Sequence, residues 1–99
     1  MLPTIYVIDF EGQPSYGIVE YGVVGLYDQA KEMGLLKTRI CQPQGRIPGA
    51  DTRLHGVTQQ AASSMAPFQE EWEFFAQLRE SGVLAAHHAP AAKFHQNFP

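Results

Sequence analysis

Apolar and polar positions fall into short blocks along this chain. From Thr4 to Phe10 the sequence is apolar at Ile5, Tyr6, Val7 and Ile8, then ends in Asp9-Phe10-Glu11-Gly12. Such a run predicts a strand over residues 4–10, mostly buried, and its apolar character on both faces suits a central strand. Gly12-Gln13-Pro14-Ser15-Tyr16-Gly17 is dense in turn formers. The segment from Ile18 to Leu26 is extended again, with Ile18, Glu20, Gly22 and Val24 on one face and Val19, Tyr21 and Val23 on the other. So short a connection implies an antiparallel hairpin. Tyr27 to Gly34 is polar and reads as a turn with room for a brief helical stretch. Leu35 to Cys41 follows as a third strand, closed by Pro43, which completes a three-stranded meander.

From Gln42 to Asp51 the residues Pro43, Gly45, Pro48 and Gly49 predict a loop. Thr58 can cap a short helical turn through Gln59 to Ala62. The clearest helix spans 67–81, with Pro67 at its first position and Glu70, Glu71 and Glu73 at its positive end. Phe68, Trp72, Phe75 and Leu78 recur at helical spacing, with Phe74 widening the stripe, which marks these aromatics as core. Gly82 ends the helix, and Val83-Leu84-Ala85-Ala86 is a fourth strand that needs neighbours on both sides or cover on both faces. A last helix starts near Pro90, where Phe94 and Phe98 form an i, i+4 pair. There are no internal repeats and no low-complexity tracts.

Composition narrows the class. A chain of 99 residues, 44% hydrophobic and 17% charged, is one globular domain spanning 1–99. Its net charge of −3 and pI near 5.7 supply no global attraction for nucleic acid or acidic membranes, so such binding must be local or metal-mediated. The single Cys41 excludes an internal disulfide and reads as packing in a reducing compartment. No leader pattern opens the chain and no stretch is long enough to cross a bilayer, so a cytoplasmic location is expected, without membrane association.

The candidate chemistry begins at Asp9 and Glu11. Alternation along a strand projects both carboxylates from the same side, an arrangement that costs energy unless a cation or a proton compensates it. A divalent-metal site at the end of a core strand meets that need, and the alternative is a pair of solvated acids opening a turn before Gly12 and Pro14. Glu20 reads as hairpin structure or as support for the pair. A metal site built from His55, His87, His88 and His95 is disfavoured, because adjacent strand histidines face opposite ways and the spacings of structural zinc sites are absent. Arg53 and Lys93 are isolated basic residues that could meet a nucleic-acid backbone.

Three stretches together resemble the DEDD, or DnaQ-like, 3'-5' exonuclease family. Val7-Ile8-Asp9-Phe10-Glu11 is similar to its opening motif, followed by Ile18-Val19-Glu20-Tyr21-Gly22-Val23-Val24 in place of the family's hairpin strand. His55-Gly56-Val57-Thr58 with Pro67-Phe68 resembles the His-Gly-Ile-Thr turn and the helix after it, and Ala86-His87-His88-Ala89 resembles the Ala-His-Asn-Ala that closes the fourth strand. The resemblance implies an α/β, RNase H-like fold: a mixed sheet of three antiparallel strands and a fourth parallel to the first, with helices on its faces. It also implies hydrolysis of nucleotides from a 3' end of DNA or RNA, with two Mg²⁺ or Mn²⁺ ions held by four acids. Asp9 and Glu11 carry over as catalytic metal ligands; Phe10, Gly12 and His55 carry over as nucleotide contacts, Phe10 and Gly12 partly by main chain.

The departures matter as much. Ala92 stands where the family's second acidic motif has Asp, and no counterpart of the third motif follows. The expectation is an incomplete, C-terminally truncated exonuclease domain, holding at most one weakly bound cation and lacking ordinary turnover. A homodimer or a domain-swapped oligomer is the expected consequence of an uncovered sheet. The alternative is a non-catalytic nucleic-acid-binding or protein-interaction module on the same fold.

Overall fold

The computed structural model describes residues 3–87. Strands β1 (Thr4–Gln13), β2 (Gly17–Tyr27), β3 (Glu32–Ile40) and β4 (Gly82–His87) form one sheet in the order β3-β2-β1-β4. β1 is antiparallel to β2, β2 is antiparallel to β3, and β4 lies parallel to β1. The meander and the parallel fourth strand are those anticipated from the sequence, and β1 is central. The crossover into β4 runs through helices α1 (Gly49–His55) and α2 (Gln59–Ser63), a 3-10 turn at Phe68–Glu71, and α3 (Trp72–Ser81).

One face of the sheet is covered and carries the main core. Tyr6, Ile8 and Phe10 of β1 and Tyr21 and Val23 of β2 pack against Phe68, Phe75 and Leu78. The ring of Phe10 lies edge-on to Phe68 at 5.8 Å between centroids, and Tyr21 meets Phe75 at 4.9 Å. Edge-to-face contacts of this kind add to the area buried. Inside this face Glu71 is only 8% exposed, and it accepts a 2.8 Å hydrogen bond from the Tyr21 hydroxyl. Lys37 Nζ and Arg39 Nε lie 3.3 and 3.2 Å from the same Glu71 oxygen. Lys37 also sits 4.4 Å over the ring of Phe74, so β3 is tied to the helical layer by charge as well as by packing.

The other face is covered only in part. Tyr16, Val19, Ile47, Val57 and Ala62 form a second, smaller core beside Ile40, beneath α1 and α2. At the opposite end of the strands, register sets Met33, Leu26, Ile5 and Val83 in one row across the sheet, with Met33 75%, Ile5 37% and Val83 48% exposed. β1 is therefore buried on one face and half-open on the other, which corrects the expectation of a mostly buried strand. β4, for its part, has only β1 as a strand neighbour among the described residues.

Boundaries shift in three places. The third strand begins at Glu32, before Leu35, because Asp28, Gln29 and Ala30 all take left-handed φ values (50°, 58° and 66°) and reverse the chain within a few residues. The expected loop over 42–51 ends early. Pro48, at ψ 145°, caps α1 from outside, and nothing after Gly49 interrupts a helix until Gly56, at φ 79°, accepts the left-handed stop. Pro67 is extended (φ −68°, ψ 157°) and bridges Gln42, so the helix expected over 67–81 starts as a tighter 3-10 turn and becomes α-helical only at Trp72. The Thr58 cap forms as anticipated, its hydroxyl oxygen accepting from Ala61 N–H at 3.1 Å. The helix expected beyond Pro90, the residues Ala92, His88, Lys93 and His95, and the Phe94–Phe98 pair lie outside the described residues.

Candidate metal and nucleic-acid site

Between the second core and the open apolar row, the partly covered face carries its acids. Asp9 pairs with Gly22 across the β1–β2 ladder and Glu11 pairs with Glu20, so alternation brings three carboxylates to one face. Asp9, Glu11 and Glu20 line a cavity of about 170 Å³ with Gly22 and Thr38. Gly22 opens that space, since a methyl group there would meet nothing within 4 Å. Glu20 is half-buried, and its carboxyl is pushed above the usual 4.5 by burial first and then by the charge of Glu11, with His55 lowering it and Asp9 adding the smallest rise. Sequence reasoning assigns Glu20 hairpin structure or support for the pair, and the register makes it a wall of the same cavity.

A second polar cluster borders the acids. Tyr16 lies in the turn between β1 and β2 and is buried, yet its hydroxyl reaches α1, donating to Asp51 Oδ2 at 2.7 Å and lying 3.3 Å from His55 Nε2. The Val57 N–H donates to His55 Nδ1 at 3.1 Å, which leaves the proton of the neutral ring on Nε2, where it can donate to the Tyr16 oxygen. Burial and the Asp51 bond raise the Tyr16 hydroxyl well above its ordinary range, with a smaller contribution from Glu11, so it stays a donor at neutral pH. His55 is thus held in orientation from both sides. No sequence motif points to Asp51 or Tyr16, although Asp51 and His55 stand four apart, the spacing of one helix face.

The remaining candidates are placed as follows. The Phe10 side chain is 3% exposed and packed in the main core, so only its main chain is available to a ligand. Gly12 follows Glu11 at an irregularity in the β1–β2 ladder with φ 156°, where a β-carbon would collide with the Gly17 carbonyl oxygen. Glycine is required there by the close approach of the two strands. His87 pairs in register with Asp9 across β1 and β4. Cys41 is fully buried, and its thiol is pushed up to about 11 by burial first and then by Glu71, which leaves it protonated and inert.

The donor set at the cavity is all oxygen, which suits a hard divalent cation. Among the described residues, however, no three His, Cys, Asp or Glu side chains converge closely enough to hold a metal ion. Asp9 and Glu11 would be the ligands of such an ion. Bound there, it would lend its charge to an approaching phosphate.

No protein-family model matches this chain, and no curated protein matches it. A solved structure described as Exonuclease X in complex with 5' overhanging duplex DNA superposes with a TM-score of 0.67 over 91% of this chain, at 18% identity. The chain has an exonuclease, RNase H-like fold. It spans about half of that structure, 52% of its length. No helix among the described residues is long and apolar enough to cross a membrane.

Proposed function

We propose that this chain is part of a DnaQ-like 3'-5' exonuclease domain, in which Asp9 and Glu11 form one side of a metal-dependent site for a 3' end of DNA or RNA. The observation that carries this reading is the placement of Asp9, Glu11 and Glu20 around one cavity at the end of the central strand of an exonuclease fold. Glu20 is held above its usual range by burial first and then by the charge of Glu11, and a divalent cation would offset that crowding of carboxylates. His55, held by Val57 and Tyr16, would meet the terminal nucleotide together with the main chain of Phe10 and Gly12. One weakly held Mg²⁺ or Mn²⁺ is the expected complement, and hydrolysis by this chain alone is expected to be slow or absent.

A non-catalytic module that binds nucleic acid on the same fold is favoured by one observation, the lack of a third converging ligand among the described residues. Two measurements on the purified chain separate the readings. Mn²⁺ should raise the melting temperature, and Asp9→Asn should abolish the rise, because a ligand stabilises only the state that binds it. Cleavage of a labelled single strand in Mn²⁺, abolished by the same substitution, identifies an exonuclease; strand binding without cleavage identifies the module. Neither a Mn²⁺ response nor strand binding would overturn both.

A further inference from the structure

Basic residues are few here, seven against ten acidic, and they are unevenly committed. Lys37 and Arg39 are occupied by Glu71. Arg46 and Arg53 are exposed and form no ion pair among the described residues, yet both line a single open groove of about 770 Å³. The floor of that groove is built. The Ile47 N–H donates to Gln59 Oε1 at 2.7 Å, and Ile47 itself is buried in the second core. Thr52, a wall residue, is fixed by donating its hydroxyl to the Val57 carbonyl at 2.8 Å. A β-carbon added at Gly49 would lie 3.8 Å from the Arg53 guanidinium, which places that cation next to Gly49 in the groove lining.

Two guanidinium groups without an ion-pair partner among the described residues, lining one groove, suit an anion, and their planar donor sets match phosphate. The groove shares α1 with the candidate site. Thr52 and Arg53 wall the groove, while Asp51 and His55 of the same helix hold Tyr16 beside the acids. A strand presenting its end to Asp9 and Glu11 approaches an acidic cavity on a chain of net charge −3. Its backbone needs local cations nearby. Resting on the nucleic-acid reading above, we propose that Arg46 and Arg53 form a subsite for backbone phosphates of the bound single strand, upstream of its 3' end.

The test is fluorescence anisotropy with a short labelled oligothymidylate, in EDTA to remove any metal-bridged binding at the carboxylates, at several salt concentrations. R46Q/R53Q should bind about tenfold more weakly, and the slope of log affinity against log salt should fall by about 1.4, the release expected for two single-strand phosphates. R46K/R53K should keep most of the affinity, and circular dichroism should show all three proteins folded. Unchanged affinity and slope in R46Q/R53Q, beside an intact Mn²⁺ response at Asp9, would overturn the groove alone. Arg-dependent binding without any Mn²⁺ response would overturn the reading of the carboxylates and leave the groove standing. Displacement of the oligonucleotide by inorganic phosphate at equal phosphate concentration would show a free-anion site and overturn the assignment to a strand.

Discussion

Among single residues, the two acids with the most distinctive surroundings differ in how they are balanced. Glu71 is buried with a tyrosine hydroxyl and two cations, whereas Glu20 faces two other carboxylates. Glu71→Ala leaves the Tyr21 hydroxyl without its acceptor, while Lys37 and Arg39, partly exposed, can return to water. A loss of about 1–3 kcal/mol is expected, read by urea denaturation, and Glu71→Gln should lose less. Glu20 should behave in the opposite sense. Its folded-state pKa lies above the unfolded value, so its ionisation costs stability once the pH rises above about 4.5, and the full cost is reached above the folded pKa. Glu20→Gln is therefore expected to raise the melting temperature slightly at about pH 7, with the gain vanishing below about pH 4.5. A gain independent of pH would show that the ionisation of Glu20 is not its source.

Among the elements, the turn between β2 and β3 is the costliest piece of backbone. Three consecutive non-glycine residues sit in the left-handed region, and only Asp28 and Gln29 bring polar side chains to it. Ala30, at φ 66°, has none. Ala30→Gly should stabilise the protein by about 1 kcal/mol, measurable as a shift in denaturation midpoint without a change in slope. Polarity from Tyr27 to Gly34 predicts a broader turn than the one that forms. It says where water is tolerated but not where pairing stops, and here the Tyr27–Glu32 pair closes the ladder sooner. At α1 the discrepancy runs the other way: the Pro and Gly residues of 43–49 signal a loop, and nothing local announces that Pro48 serves as an external cap.

Across the full structure, the consequential feature is the sheet face left half-covered. The row Met33, Leu26, Ile5 and Val83 is apolar, mostly exposed, and reaches β4, whose outer edge has no strand partner among the described residues. Edges of this kind pair with other chains. Sedimentation velocity should show a concentration-dependent dimer, and V83K should shift it toward monomer. A compact monomer of the unaltered chain at high concentration would sink the idea.

Local pattern was enough for the antiparallel meander, the Thr58 cap and the projection of Asp9 and Glu11 from one face, and motif resemblance added the parallel return of β4. The first three follow from alternation, short connections and cap chemistry, which act over neighbouring residues. Register decided that Glu20 stands opposite Glu11 in the same cavity, and tertiary packing decided that the Phe10 side chain is spent on the core and that Asp51 reaches Tyr16 across 35 positions. Arg46 and Arg53 line one groove through the same packing. Contacts between distant segments depend on how α1 and α2 pack over one end of the sheet, a balance of buried surfaces spread over the whole chain.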